Sequence, residues 1–158
     1  MVPLLIFGML ATLGIGFWLS HYDRRTAKAA GAGLEWTSGE NMPRELMLAS
    51  FVMSERSIET DYPIPLHGTP DQVFRTQAGI VVPIDTKTRS IVAVYYSDRL
   101  QLSVYAIILS YRYRLTVGQH GYVRVVLPNG SAHYCRTPLL GEREVVRAFR
   151  KLSYQKRN

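Results

Sequence analysis

The hydrophobic residues of the chain form one long continuous run, followed by shorter periodic segments. Residues 2–20, VPLLIFGMLATLGIGFWLS, are almost purely apolar and contain no charged side chain. A helix of that length covers about 28 Å, close to the hydrocarbon thickness of a bilayer. A run without a polar face is atypical of a helix in a soluble core. We therefore predict a transmembrane anchor over residues 1–20.

The residues after this run predict its orientation. Arg24, Arg25 and Lys28 follow it, and no basic residue precedes it. By the positive-inside rule, we expect a single-pass protein of the cytoplasmic (inner) membrane with its larger part in the cytoplasm. A cleaved signal peptide is the alternative, although it would need a basic segment before the run. Residues 21–42 are mostly small and polar and predict a tether.

From residue 43 to residue 158, shorter periodic segments predict a folded domain. The stretch RELMLASFVMSERSI after Pro43 predicts a helix that buries Leu46, Ala49 and Met53, with proline in its first turn. DQVFR and IVVPID on either side of TQAG predict a hairpin with strands at 71–75 and 80–85.

In the second half of this domain, the sequence again predicts a helix followed by a hairpin, and then a final helix. A second helix is predicted from Asp98, which suits an N-cap. A second hairpin is predicted around Pro128–Gly130, and a charged helix, EREVVRAFRKL, near the end of the chain. The order helix, hairpin, helix, hairpin, helix predicts helices packed against a mixed sheet.

Composition and charge exclude several classes of protein. Hydrophobic residues make up 47% of the chain and charged residues 20%, which excludes a disordered or fibrous protein. A single cysteine, Cys135, cannot form an internal disulfide. The net charge is +7, and the run from Glu142 to Arg157 holds six basic and two acidic side chains. That run suits a phosphate backbone, anionic lipid headgroups or simply a solvated helix face.

Three polar residues lie where the first predicted hairpin would bring them together. Asp71 begins its first strand, and Asp85 and Lys87 end its second strand on one face. Two carboxylates and the backbone carbonyl between them are oxygen ligands of the kind Mg²⁺ takes. A lysine beside such an ion can orient an attacking water and offset charge on a phosphate. A solvated ion pair is the alternative interpretation.

The spacing of these residues resembles a known nuclease motif. Pro70-Asp71, a 13-residue gap and then Asp85-Thr86-Lys87 match the pattern of the PD-(D/E)XK nucleases. HGTPDQVF, VVPIDTK and DRLQLSVYAIIL are similar to its RecB-like branch, which includes the CRISPR-associated exonucleases of the adaptation machinery. The resemblance covers roughly residues 43–152. It implies an α/β fold with a restriction-endonuclease-like mixed β-sheet core flanked by helices, here preceded by one N-terminal transmembrane helix.

The resemblance also implies roles for individual residues. Asp71 and Asp85 would ligate Mg²⁺ or Mn²⁺, together with the main-chain carbonyl of Thr86. Lys87 would position the attacking water and contact the scissile phosphate. The branch carries a glutamine and a tyrosine four apart on the following helix, and Gln101-x-x-x-Tyr105 would support the site and the nucleic-acid strand. The cysteines that hold an iron–sulfur cluster in some relatives are missing, so no cluster is expected.

Further ligands and contacts are left open by the sequence. A ligand from the first helix would be Glu45 or, as second choice, Glu55, and His67 lies close enough in sequence to Asp71 to approach the metal. Tyr95-Tyr96 and Tyr111-x-Tyr113 either stack on bases or pack with the hydroxyl in water. Candidates for nucleic-acid contact are Tyr105, Arg147, Arg150 and Lys151.

The predicted function is therefore a metal-dependent nuclease that hydrolyses DNA phosphodiester bonds while tethered to the membrane. DNA and the membrane are the predicted partners, and Mg²⁺ or Mn²⁺ is the predicted cofactor. The alternative is a catalytically inactive, membrane-anchored nucleic-acid-binding module that keeps the nuclease fold.

Overall fold

The domain is built from short strands and three helices. The computed structural model describes residues 41–155. The helices are α1 (Arg44–Met47), α2 (Tyr96–Tyr113) and α3 (Glu142–Gln155). The strands are β1 (Ser50–Ser54), β2 (Ile58–Thr60), β3 (Leu66–Gly68), β4 (Gln72–Arg75), β5 (Val81–Thr88), β6 (His120–Val126) and β7 (Ala132–Pro138).

Five strands form the main sheet in the order β1-β4-β5-β6-β7. Neighbouring strands are antiparallel except for β5 and β6, which run parallel. A parallel pair needs a crossover connection, and α2 supplies it. Strands β2 and β3 form a separate antiparallel pair that packs against α2. Helix α2 is therefore enclosed between the main sheet and the small sheet.

Strand β5 distributes its side chains to both faces of the main sheet. Val81 belongs to the apolar cluster on the side of α2, whereas Val82 and Ile84 belong to a cluster on the opposite side. Because side chains alternate along a strand, Asp85 and Lys87 share the face of Val81. The polar end of this otherwise apolar strand therefore lies beside α2.

Both predicted hairpins are confirmed. The strands expected at 71–75 and 80–85 are β4 and β5, paired with Gln72 opposite Ile84. Gly79 in their turn has φ 78°, a conformation that glycine adopts without strain. Strands β6 and β7 form the second hairpin around a turn in which Gly130 has φ 84°. The charged C-terminal helix is confirmed as α3.

The prediction of a helix after Pro43 is wrong. Helix α1 is a single turn, and the residues that follow it form the edge strand β1, antiparallel to β4. Of the predicted buried residues Leu46, Ala49 and Met53, only Leu46 is buried. The chain extends instead because β4 offers an open edge, where Phe51 packs edge-to-face on Phe74 at 5.9 Å between ring centroids.

The predicted fold class is also corrected. The described residues form a mixed α/β domain with a five-stranded sheet and a strand where the first domain helix was expected. Among residues 41–155, no helix is both long enough and apolar enough to cross a bilayer. The predicted anchor at 1–20 and the tether as far as residue 40 lie outside the described residues.

Candidate metal centre

Strands β4 and β5 bring the two predicted acidic ligands into one site. Asp71 immediately precedes β4, and its Oδ2 accepts a hydrogen bond from the backbone N–H of Thr86 at 2.5 Å. Asp85, one residue before Thr86, is almost fully buried, with 3% of its surface exposed. The antiparallel pairing of the hairpin therefore places the start of one strand beside the end of the other, as the sequence predicts.

Asp85 forms an ion pair with the predicted lysine. Lys87 Nζ lies 2.7 Å from Asp85 Oδ2, and the lysine side chain is the more accessible of the two. Apart from this ammonium, Asp85 Oδ2 has no hydrogen-bond partner among the described residues. The charge of the buried oxygen is therefore balanced by Lys87.

Burial raises the pKa of both carboxyl groups. For Asp71, the hydrogen bond from Thr86 and the charge of Lys87 oppose this rise only in part. For Asp85, burial is again the largest cause, Lys87 opposes it and the negative charge of Asp71 adds to it, so that the pKa reaches about 6. Two acids that disfavour each other's ionisation form a site that a divalent cation would stabilise.

A chain of hydrogen bonds connects Lys87 to helix α2. Lys87 Nζ donates to Gln101 Oε1 at 2.9 Å, and Gln101 Nε2 lies 2.5 Å from the hydroxyl of Tyr105. The Tyr105 hydroxyl donates to the backbone carbonyl of Thr69 at 3.1 Å. Gln101 and Tyr105 are four residues apart and share one face of the helix. The structure therefore gathers all five predicted catalytic residues in one place.

Tyr105, predicted as a nucleic-acid contact, lies in the interior of the domain rather than on its surface. Its ring is 2% exposed and packs against β3, where a Cβ on Gly68 would lie 2.5 Å from Tyr105 Cε1. Burial raises the pKa of its hydroxyl well above the ordinary value, so the group stays protonated. The other predicted contacts, Arg147, Arg150 and Lys151, are exposed on α3.

Two charged groups near the site were missed by sequence reasoning. Arg124 is buried in β6, in register with Thr86, and its charge lowers the pKa of Asp71. Asp98 binds Arg89 at 2.6 Å, and its charge contributes to the raised pKa of Asp85. Arg124 could have been recognised from the sequence, because it is the one charged residue in the otherwise apolar stretch YVRVVL. Asp98 is not the N-cap, since α2 begins at Tyr96 and Asp98 accepts a hydrogen bond from the Tyr95 N–H.

The additional predicted ligands do not join the two aspartates. Glu45 Oε1 lies 2.8 Å from His120 Nε2 and also accepts a hydrogen bond from the Tyr122 hydroxyl. Tyr122 belongs to the apolar cluster on the face opposite α2, so Glu45 lies on that face too. His67 is exposed in β3, opposite Glu59. Within residues 41–155, no three or more acidic, histidine or cysteine side chains form a cation site.

The residues present fit a hydrated magnesium or manganese ion. Mg²⁺ is commonly bound by one or two carboxylates and keeps several water ligands, so it does not require a third side chain. Asp71 and Asp85 supply the two carboxylates, and Asp85 Oδ2, which lies 2.7 Å from Lys87 Nζ, has no other hydrogen-bond partner among the described residues.

Comparisons with known proteins add little to this picture. No protein-family profile matches the chain, and no curated protein matches it. A solved structure described as "Crystal structure of SSO0001" is similar to 63% of this chain at 17% sequence identity, with a TM-score of 0.40. The matched region spans 44% of the length of that protein. A likeness of this size carries no argument about function.

Proposed function

We propose that the protein is a metal-dependent nuclease that hydrolyses phosphodiester bonds in DNA. The observation that supports this function is the convergence of Asp71, Asp85 and Lys87 at the polar end of β5. One buried and one partly buried carboxylate attract a divalent cation, and an ammonium group is fixed beside them. Together they complement an anionic phosphodiester on which further negative charge develops during hydrolysis.

The metal would be held by Asp71 and Asp85, with the main-chain oxygen of Thr86 and water as further ligands. Bound Mg²⁺ or Mn²⁺ supplies Lewis-acid polarisation of the phosphoryl group and makes water more acidic. The protein itself supplies the carboxylate ligands, and the burial of Asp85 keeps solvent away from the inner side of the site.

Lys87 is the residue that faces the substrate in this proposal. Its ammonium pairs with Asp85 and donates to Gln101, and it keeps N–H capacity for the attacking water or a phosphate oxygen. Its side chain is 27% exposed, whereas that of Asp85 is 4% exposed. The cation is therefore the accessible part of the pair. In hydrolysis a new P–O bond forms from water, one P–O bond of the diester breaks, and the departing sugar oxygen takes up a proton.

The test is cleavage of end-labelled DNA by the purified full chain with Mg²⁺, with Mn²⁺ and with EDTA. We expect cleavage that requires the metal and falls by about 100-fold or more in Lys87→Ala and Asp71→Asn. Arg75→Ala is the matched control for loss of a positive charge, since Arg75 is exposed at the opposite end of the β4–β5 hairpin. Equal rates for the wild type and Lys87→Ala would overturn the proposal.

The alternative function is binding of nucleic acid without hydrolysis. No described contact favours it over the nuclease, since a binding surface does not need two acids gathered beside a lysine. Binding of DNA by the full chain, without cleavage under any of the three metal conditions, would be the outcome that supports it.

A further inference from the structure

The connection between β5 and α2 exposes large apolar side chains next to the candidate metal centre. We call residues 90–97, Ser-Ile-Val-Ala-Val-Tyr-Tyr-Ser, the aromatic loop; its last two residues are the first two of α2. Ile91 is 61% exposed, Tyr95 53% and Tyr96 60%. Its exposed large apolar residues are Ile91, Val92, Val94, Tyr95 and Tyr96. Apolar side chains concentrated in one exposed segment mark an interaction surface more often than scattered ones do.

One arginine holds the aromatic loop in place. The backbone N–H of Arg89 donates to the Val126 carbonyl at 3.0 Å, which ties the start of the loop to β6. Its guanidinium binds Asp98 at 2.6 Å and also donates to the Ala93 carbonyl. The same guanidinium lies over the Tyr95 ring, 4.4 Å from its centroid. The loop therefore presents its exposed side chains in a preorganised arrangement, which lowers the entropy cost of binding.

This arrangement lies directly beside the metal centre. Arg89 follows Lys87 by two residues along the same chain direction, and Asp98 precedes Gln101 by three residues on one helix face. The Arg89–Asp98 pair is therefore the next contact between the two elements after the Lys87–Gln101 pair. In agreement with this geometry, the charge of Asp98 acts on the pKa of Asp85.

We infer that the aromatic loop binds the unpaired bases of a single strand of DNA next to the scissile phosphate. This inference rests on the proposed nuclease function and names its substrate class. A base in a single strand offers its face to an aromatic side chain, whereas bases within a duplex already stack on each other. Tyr95 and Tyr96 supply the rings, and the aliphatic residues of the loop exclude water around them.

A membrane surface is the competing partner, because exposed aliphatic and aromatic residues also suit the interfacial region of a bilayer. The position of the loop favours DNA. Through the neighbouring Lys87–Gln101 and Arg89–Asp98 contacts, the aromatic loop adjoins the site that is proposed to act on phosphodiesters.

The experiment measures binding of the full chain to a fluorescent oligonucleotide, single-stranded or as a duplex of the same sequence, by anisotropy in EDTA to prevent cleavage. Tyr95→Ala and Tyr96→Ala are each expected to weaken single-strand binding by about 5- to 150-fold, with little change for the duplex. Tyr62→Ala is the matched control, because Tyr62 is also 60% exposed but lies in the β2–β3 connection. Tyr95→Phe and Tyr96→Phe retain the ring and are expected to retain binding.

Three results would overturn the inference: unchanged single-strand affinity, an equal loss for single strand and duplex, or a loss of binding only to phosphatidylcholine–phosphatidylserine vesicles. The last would identify the aromatic loop as a membrane contact.

The same experiments distinguish failure of this inference from failure of the proposed nuclease function. Wild-type binding that depends on Tyr95, without cleavage in Mg²⁺ or Mn²⁺, supports the base-binding loop and rejects the nuclease. If Tyr95→Ala and Tyr96→Ala both cleave and bind DNA as the wild type does, the nuclease function is supported and the base-binding loop is rejected.

Discussion

The ammonium group of Lys87 donates a hydrogen bond to the amide oxygen of Gln101 across the interface of β5 and α2, at 2.9 Å. The amide nitrogen of the same Gln101 lies 2.5 Å from the Tyr105 hydroxyl, so both ends of the amide are engaged. The position of the lysine consequently depends on a helix residue that needs no contact with substrate. Gln101 is a positioning residue in the proposed reaction.

Substitution Gln101→Ala is expected to lower the DNA cleavage rate by about 10- to 100-fold, since Lys87 loses the acceptor that orients it. The loss should appear in kcat, with KM and Mn²⁺ affinity nearly unchanged, because both aspartates remain. Gln119→Ala, at an exposed glutamine, is the control and should cleave as the wild type does. A change confined to KM would contradict the positioning role.

Substitution Asp85→Asn is expected to stabilise the metal-free protein near neutral pH. The pKa of Asp85 is raised from 3.8 to about 6 by burial, so the native state holds the proton more tightly than the unfolded state. The free energy of unfolding of the wild type therefore contains a term that falls as pH rises from about 4 to about 6. The asparagine variant lacks that term and should gain about 1–3 kcal/mol near pH 7, but little near pH 4.

Urea unfolding across this pH range, with and without Mn²⁺, measures the effect of Asp85→Asn. The metal should stabilise the wild type and leave Asp85→Asn unchanged, since the variant lacks one of the two carboxylates. Asp61→Asn, at an exposed aspartate, controls for the loss of one negative charge. A variant that is less stable than the wild type near pH 7 without metal would show that the ion pair with Lys87 outweighs the burial of Asp85.

Substitution Gly68→Ala is expected to disturb the site from a distance. Its Cβ would lie 2.5 Å from Tyr105 Cε1, so the buried ring must move and the Gln101 contact with it. We expect a loss of about 1–3 kcal/mol in unfolding free energy, together with slower cleavage. Gly141→Ala is the matched control, because its Cβ would meet only the Glu144 carboxylate at 3.6 Å. Equal cleavage by both variants would mean that Tyr105 can shift without consequence.

Substitution Glu45→Gln is expected to leave Mn²⁺ binding unchanged in calorimetry, whereas Asp71→Asn should remove it. Burial raises the pKa of Glu45, but hydrogen bonds from Tyr122 and His120 outweigh it and bring the pKa below the ordinary value. Its stabilising contribution is present above that ordinary value and is lost as pH falls through the lowered one. The wild type should therefore lose more stability than Glu45→Gln on acidification. Weaker metal binding by Glu45→Gln would make Glu45 a ligand.

The local parts of the site were predictable from sequence. A hairpin brings its first and last residues together, which predicts Asp71 near Asp85, and a helix brings Gln101 and Tyr105 to one face. These relationships depend only on the geometry of a strand pair and of one helix turn. Contacts between distant segments were not predictable in this way. The Thr69 carbonyl that receives the Tyr105 hydroxyl and the charge of Arg124 beside Asp71 depend on tertiary packing.

The wrong prediction of a helix over residues 48–54 has a similar cause. The stretch LMLASFVM is apolar enough for a helix face or for a strand, and periodicity alone does not separate them over so few residues. The open edge of β4 decides in favour of the strand. The helix expected to carry Glu45 ends at Met47, and Glu45 itself contacts His120 and Tyr122 on the face of the sheet opposite α2.

The parallel pairing of β5 with β6 has a consequence for synthesis of the protein. One edge of β5 is covered by β4, which leaves the ribosome first, but the other edge waits until α2 and then β6 have been made. During that interval the nascent chain carries an apolar strand with an unpaired edge, a template for association with other chains. A fragment that stops before His120 should accordingly aggregate or require a chaperone, even though it contains all five of the predicted catalytic residues.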